Sequence, residues 1–496
     1  MSYKRMVAWV SILLVYMMAA RNALDADTWW HLRAGRWMIE NRAILTKDLF
    51  SYTRYGAEWR YPGWLIEIPM ALVEAKTGLG GVNLFSGLII TITFAFVYAT
   101  IRGTSLGRAF LTILAAIVSA IYWSARPHLV TLLFTAVFLY VFERAVEKSF
   151  FGVRKFLWGI LPVLMFCWVN MHGGFIVGFL LWGIYFLEAF INRLVRLWRN
   201  SWQETGMRRD ADLLSLFVCG MFMGLVALFS PLGWRVFLYP FQTVSIRILG
   251  EYIQEWQSPD FHSLSAQPFI WLLVLVIGSA AFSRKPWLFR HTVMIVVFLY
   301  MALLAGRNLA LFALVAPLPI ARAFEGLHIR ETLAAYFPKS LGKPLEKPAQ
   351  DRPVLNWLIV SLVFLGCTYR SFLAWSPQTV ATDMKGFYPL GAVEHLKETR
   401  PQGRLFNSYN WGAYLLWALP EYPVFVDGRT DLYGDQILEQ WLQLVQLREG
   451  WEQVIERWQI RVILMEREWV AAKYLTQTGW CLSYQDEVAL VLEKCP

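Results

Sequence analysis

The run VNLFSGLIITITFAFVYATI, Val82–Ile101, decides the fold class: it carries no charged residue from end to end. A helix needs about 20 mostly apolar residues to cross the hydrocarbon core, because lipid offers backbone groups no hydrogen-bond partner. Working outward, similar runs lie at Met6–Ala20, Ala109–Trp123, Leu129–Phe142, Phe156–Val169 and Phe175–Ile191. More follow at Leu213–Phe229, Phe269–Phe282, Val293–Leu304, Leu309–Ile320 and Val354–Leu373. About eleven spans are therefore expected. Composition agrees, with 57% of the 496 residues apolar and 17% charged. Soluble domains carry about 45–50% and about 25%. A soluble single-domain protein is excluded.

The basic residues orient the spans. Lys4 and Arg5 precede the first run, and Arg102 with Arg108, Arg144 through Lys155, Arg193 through Arg209, Arg284 through Arg290, and Arg322 through Arg352 occupy alternate loops. By the positive-inside rule those loops are cytoplasmic, the N-terminus is cytoplasmic, and an odd span count leaves the C-terminus outside the plasma membrane. Pro62–Thr77 reads as an interfacial helix, since it carries Glu67, Glu74 and Lys76 and counting it as a span inverts every later loop. The first run has signal-peptide features, with Ala20 and Ala23 near a cleavage site; the acidic stretch directly behind it favours a retained span. The net charge of +10 thus reports topology. Nucleic acid is not an expected partner, because no basic face with a reading module appears.

Residues 1–373 form the expected transmembrane domain, with a large first outer loop over 21–81 and another over 230–267. Lys339–Pro353 reads as a flexible cytoplasmic linker. Residues 374–496 have the composition of a soluble, extracytoplasmic α/β domain. Its expected strands are Arg404–Phe406, Val424–Val426, Val462–Met465 and Val488–Leu492, with helices at Gln436–Gln446 and Trp451–Trp458. Cys167, Cys219 and Cys367 fall in apolar runs and read as packing, whereas Cys481 and Cys495 are placed to pair if their side is oxidising.

Polar chemistry gathers in the outer loops. Asp25-Ala26-Asp27-Thr28-Trp29-Trp30-His31-Leu32-Arg33 opens the first, and two carboxylates this close suit a divalent cation or a general base. The competing reading is that Asp27 caps a helix over Thr28–Asn41. Arg126-Pro127-His128 forms the next outer turn, and His172 stands at a later one; with His31 and His262 they suggest a shared polar cavity. Arg307 lies where a span meets the outer surface; a border Arg needs an anionic partner, either a phosphate or Asp25 or Asp27. In the tail, Asn407–Gly412 and Asp427–Asp431 follow expected strands, where ligand contacts or simple turns both occur.

Asp27-Thr28-Trp29-Trp30-His31-Leu32-Arg33 resembles the D-x-W-Y-H-x-R stretch of the archaeal-type oligosaccharyltransferase catalytic subunit, of the C-type glycosyltransferase superfamily. Arg307-Asn308, with its apolar sequel ending in Pro317, is similar to that family's border segment, whose Arg contacts the lipid pyrophosphate. Gln254-Glu255-Trp256 sits where the family keeps a Glu. Ser408-Tyr409-Asn410-Trp411-Gly412 falls where it has W-W-D-Y-G, and Val426-Asp427-Gly428-Arg429-Thr430 looks like its A-D-N-x-T stretch.

The resemblance implies a polytopic C-type fold and inverting transfer of a sugar from a polyprenyl-phosphate or pyrophosphate donor to a protein, lipid or glycan acceptor at the outer membrane face. It makes Asp27 the catalytic base or metal ligand, with Asp25 and His128 assisting and Asp25 with Asp27 as candidate ligands for Mg or Mn. Arg307, Arg126 and His172 are the expected donor-phosphate contacts; Glu255, Asn410, Trp411 and Asp427 the acceptor contacts. Two positions depart from the family. Arg126-Pro127-His128 replaces its second acidic motif, and Asn410 replaces its acceptor-recognising Asp. These departures count against an Asn-x-Ser/Thr acceptor and a tightly held metal. They also keep a non-catalytic scaffold in play, while a lipid-linked glycan transporter calls for ionisable groups nearer mid-membrane.

Overall fold

The computed structural model describes residues 1–147, 151–198, 205–283, 286–325 and 351–495. Most of the expected linker Lys339–Pro353 lies outside them, as do parts of four basic loops. Each expected apolar run falls on a helix. In order these are Tyr3–Ala19, Trp64–Thr100, Ser105–Ser119, His128–Glu147, Phe151–Val169 and Ile176–Trp198, then Thr205–Ala227, Gln267–Phe282, Phe289–Leu304, Leu309–Val315 continued by Pro317–Glu325, and Pro353–Trp375. Among the described residues 7 helical segments are long and apolar enough to cross a membrane, with shorter apolar helices beside them. Large apolar side chains such as Trp271, Val296 and Leu362 point outward from them, as lipid contact requires. This is a multi-pass membrane protein.

The longest helix, Trp64–Thr100, breaks at Gly78, whose φ of +70° only glycine adopts without strain. Its first part therefore runs separately from the span that follows. Glu67 and Glu74 on this part are buried, not solvated. Glu67 shares a 2.6 Å hydrogen bond with His31 Nδ1 and accepts from the Tyr61 hydroxyl, and Glu74 pairs with Arg36. The helix Thr28–Asn41 is thereby fixed to it.

The C-terminal sheet has four strands, β1 Arg404–Asn407, β2 Ile460–Glu466, β3 Trp480–Gln485 and β4 Ala489–Lys494. Their order is β1-β2-β4-β3, with β1 parallel to β2 and the other pairs antiparallel. Two expectations need correction. Val424–Val426 is not a strand of this sheet: it is buried, and Val424 instead bridges Ser51, exchanging backbone hydrogen bonds with Phe50 and Tyr52 of the first long loop. Strand β3 went unread because it lies at the sheet edge and shows no clean alternation of buried and exposed residues. The helix expected at Gln436–Gln446 is present: the segment Thr430–Val445 breaks at Gly434, whose φ is +58°, and the helix runs on from that break, while Trp451–Trp458 is as expected. Cys481 and Cys495 are joined, with Cα atoms 5.2 Å apart, across the β3–β4 pair.

The sheet domain is locked to the first loop by a buried charge cluster. Arg429 donates to Asp48 Oδ1 at 2.7 Å and to both oxygens of Asp427 at 2.7 and 2.9 Å, and all three side chains are fully buried. Asp48 is further held by the Ser51 hydroxyl and by two backbone amides. Beside it, Trp29 is fully buried against Tyr388, Tyr414 and Trp417 of the C-terminal region. Removing one partner of a buried pair strands the other charge, so Asp48→Ala should cost about 3–5 kcal/mol. The expected result is a lowered unfolding midpoint and faster proteolysis within the sheet domain; unchanged values would mean the cluster does not hold the two parts together.

Candidate active site

The helix Thr28–Asn41 begins with a division of labour between two carboxylates. Asp25 Oδ1 accepts from the amides of Asp27 and Thr28 and from the Thr28 hydroxyl at 3.0–3.1 Å. Asp25 therefore does the capping expected of Asp27, whose side chain caps nothing. Asp27 turns instead to Arg126. The Arg126 turn is brought alongside by a backbone hydrogen bond from Ala125 to Ala23 at 2.6 Å.

One guanidinium then gathers three carboxylates. Arg126 Nε lies 2.7 Å from Asp25 Oδ2, Nη1 2.6 Å from Asp27 Oδ2, and Nη2 2.9 Å from Glu255 Oε2. The second oxygen of Glu255 reaches Arg307 Nη1 at 3.4 Å, and Arg307 sits over the Trp256 ring at 4.4 Å. A continuous chain of charge thus runs from Asp25 and Asp27 through Arg126 and Glu255 to Arg307. Arg307 takes neither Asp25 nor Asp27 as its partner; Glu255 supplies the counter-charge.

The histidines divide. His128 donates through Nε2 to the Tyr122 carbonyl at 2.7 Å, and His172 Nδ1 accepts from the Gly174 amide at 3.0 Å and meets the Thr131 hydroxyl at 2.8 Å. Burial first, then Arg307, His128 and Arg126, hold His172 well below its ordinary titration range. Burial and Arg126 do the same for His31, so both rings are neutral at pH 7. His262 is exposed and takes no part. Arg33, inside the quoted motif, stacks over Phe50 at 5.4 Å and also stands outside the charge chain.

The expected acceptor contacts divide further. Glu255 is in the chain of charge, and Asn410 is exposed beside Glu466. Trp411 lies in the core: it is buried and donates through Nε1 to the Phe387 carbonyl at 2.8 Å. Asp427 is likewise buried, and Arg429 and the Tyr433 hydroxyl occupy both its oxygens. What these loops do bring to the site is Gly428. A Cβ there would collide with Asp27 Oδ1, so any larger residue requires that carboxylate to move. Tyr409 was overlooked within its own motif: its hydroxyl pairs with Thr430 Oγ1 at 2.8 Å, and burial, with the charges of Asp27, Asp427 and Glu255, pushes its titration up. Glu466 carried no sequence signal, being the far end of β2; its Oε1 accepts from the Ser408 hydroxyl at 2.6 Å, and burial pushes it up to about 7.

This architecture recurs among solved structures. The archaeal oligosaccharyltransferase AglB from Archaeoglobus fulgidus, in complex with an inhibitory peptide and a dolichol-phosphate, superposes at a TM-score of 0.59 with 11% identity over 94% of this chain and 70% of its own. The chain has the C-type glycosyltransferase fold. ArnT from Cupriavidus metallidurans bound to undecaprenyl phosphate aligns over 97% of this chain and 96% of its own, at a TM-score of 0.52 and 12% identity. No protein-family profile matches the sequence, and no curated protein matches it.

Within this C-type fold the carboxylates do not fit a divalent ion as arranged. Such an ion draws oxygens to about 2.0–2.6 Å. Asp25, Asp27 and Glu255 instead each face a separate nitrogen of Arg126, and among the described residues no group of three or more His, Cys, Asp or Glu is placed to hold a metal.

The same crowding sets protonation. Burial pushes the Asp27 carboxyl up to about 7; Arg126 opposes this, while Asp25 and Glu255 add to it. For Glu255, burial is outweighed by Arg126 and Arg307, which hold it down at about 2. The shared guanidinium does not hold both of these carboxyls down, and Asp27 keeps its proton to a higher pH than Glu255. The infrared carboxylic-acid band should contain a component that persists above the ordinary carboxylate range and is lost as pH rises through about 7. Asp27→Asn should remove one part of it and Glu466→Gln another; a band indifferent to Asp27→Asn would refute this protonation order.

Proposed function

We propose that this protein is a membrane glycosyltransferase that moves a sugar or glycan from a polyprenyl-phosphate or pyrophosphate donor to an acceptor at the outer membrane face. The observation that carries the reading is the chain Asp27–Arg126–Glu255–Arg307, which sets a carboxylate poised near neutrality one residue pair away from a border cation. The likeness to an AglB holding a dolichol-phosphate and an ArnT holding undecaprenyl phosphate supports a lipid-phosphate donor. Basic loops set the sidedness by the positive-inside rule. The Cys481–Cys495 pair agrees with an oxidising, extracytoplasmic side for the sheet domain.

In this reading the acceptor nucleophile attacks the anomeric carbon from the face opposite the phosphate. Its proton passes to Asp27, the bond from carbon to phosphate oxygen breaks, and the electron pair leaves with the phosphate, giving inversion. Arg307 meets the charge that develops on the departing phosphate, stabilising the transition state more than the ground state. Arg126 positions Asp27, and Gly428 keeps the wall beside it close. The polyprenyl chain lies between the membrane helices. No step passes through a metal.

The rival reading, a non-catalytic scaffold, draws on the saturation of all three carboxylates by Arg126. Assay with labelled polyprenyl-phosphate sugars separates the two. Asp27→Ala should abolish transfer while membrane insertion and chromatographic behaviour stay as in the parent; retained activity would end the assignment. Arg307→Ala should lower the rate by about 10²–10³-fold, the size seen when one fixed transition-state donor is removed. The rate should fall about tenfold per pH unit below about 7, because the base must be ionised. A flat profile with full activity at pH 5 would exclude Asp27 as that base.

A further inference from the structure

We infer that Arg126 stands in place of a divalent cation, so that this enzyme works with a built-in guanidinium where its carboxylates would otherwise bind a metal. The inference rests on the proposed glycosyl transfer for its meaning, but its geometry is independent of it. Asp25 and Asp27 come from the start of the first long loop, Glu255 from the loop over 230–267, and Arg126 from the turn between two spans. Carboxylates from such distant parts of the chain converge only where something positive holds them. Here that is one planar group: Nε to Asp25 and Ser124, Nη1 to Asp27, Nη2 to Glu255, all at 2.6–3.0 Å.

Two physical points turn this convergence into exclusion. Arginine is charged at every accessible pH, so it does not give up its place by deprotonating, as a lysine or histidine does. A divalent ion among the same oxygens would stand within a few ångströms of that fixed charge and take ligands from it. The charge count leaves little to attract one, since Arg126 and Arg307 already face the three carboxylates. The sequence carries the same message. Arg126-Pro127-His128 adds a cation to this turn and brings no carboxylate. Arg126 is thus a positioning residue that orients Asp27 and Glu255 without touching the reacting atoms.

The test is Mn²⁺ binding to the full-length protein in detergent, followed by electron paramagnetic resonance, with transfer assayed alongside. The parent protein should bind no Mn²⁺ that depends on Asp27 or Glu255 at concentrations up to about 1 mM, the weak end for oxygen-ligand sites. Transfer should be unchanged by chelator. Arg126→Ala should create one site, at least about tenfold tighter than anything in the parent and lost again with Asp27→Asn. Any transfer lost in Arg126→Ala should return with millimolar guanidinium or Mn²⁺, a rescue that a merely structural role does not give. A parent protein that binds one Mn²⁺ through Asp27 or Glu255 overturns the inference, as does an Arg126→Ala protein that folds but binds none. If Arg126→Ala does not fold, the parent measurement decides alone. Absence of transfer with every donor, together with the expected binding pattern, sinks the proposed function and leaves this inference standing.

Discussion

The buried guanidinium of Arg429 is the constraint from which the site follows. Placed with no exposure between the Phe50 and Trp59 rings, it is tolerable only with ionic partners on hand. Asp427 supplies one from its own loop and Asp48 supplies the other from the first long loop. Satisfying both fixes where the C-terminal domain sits, and that placement presses Gly428 against Asp27. The loop over 230–267 is tied to the same helix, Thr430–Val445, through Arg247 to Glu439 and the Ile248 amide to Asp435. The position of Glu255 is thus coupled to Arg429 as well. The domain after the last span is one wall of the site, and its stability is part of the site's geometry.

Much of the membrane architecture was readable because lipid imposes it. A backbone that finds no water must form helices, and their apolar faces must be long, so every run appears in the sequence. The soluble part was readable only where burial is two-sided. Strand β2 is buried almost throughout and stood out, whereas β3 lies at the edge and did not. Val424–Val426 shows the converse failure: three buried apolar residues look like a strand, yet their partner is Ser51, far away in sequence. Nothing local reveals which distant segment an extended stretch will meet.

Site residues follow the same logic. Residue type and order singled out Asp27, Arg126, Glu255 and Arg307, and the structure joins these four in one connected chain of charge. Their pairing was not readable. Arg307 was expected against a phosphate or an Asp and meets Glu255; Trp411 and Asp427 have the right chemistry for a ligand and spend it on the core. A side chain's destination depends on which hydrogen-bond partners packing leaves free, and packing is decided across hundreds of residues. Glu466 is the extreme case, with no neighbour in sequence to mark it.

The two carboxylates at the start of the first loop show how that packing separates identical groups. Asp25 meets three local donors before Arg126 reaches it, so its charge is spent on holding the helix start. Asp27, two residues on, has Arg126 as its ionic partner and a glycine wall on its other side. A half-buried carboxylate with one ionic partner and two acidic neighbours has its proton affinity raised toward neutrality. The aromatic pair that follows it completes the arrangement. Trp29 is packed among Tyr388, Tyr414 and Trp417, and Trp30 lies between Trp59, Tyr61 and the His31 ring, so the helix carrying them has little freedom to roll. Rigid support is what lets a single carboxylate hold one direction within a fraction of an ångström. The motif's tryptophans therefore act on Asp27 through the backbone, and its acidic residue alone reaches the Arg126 charge cluster.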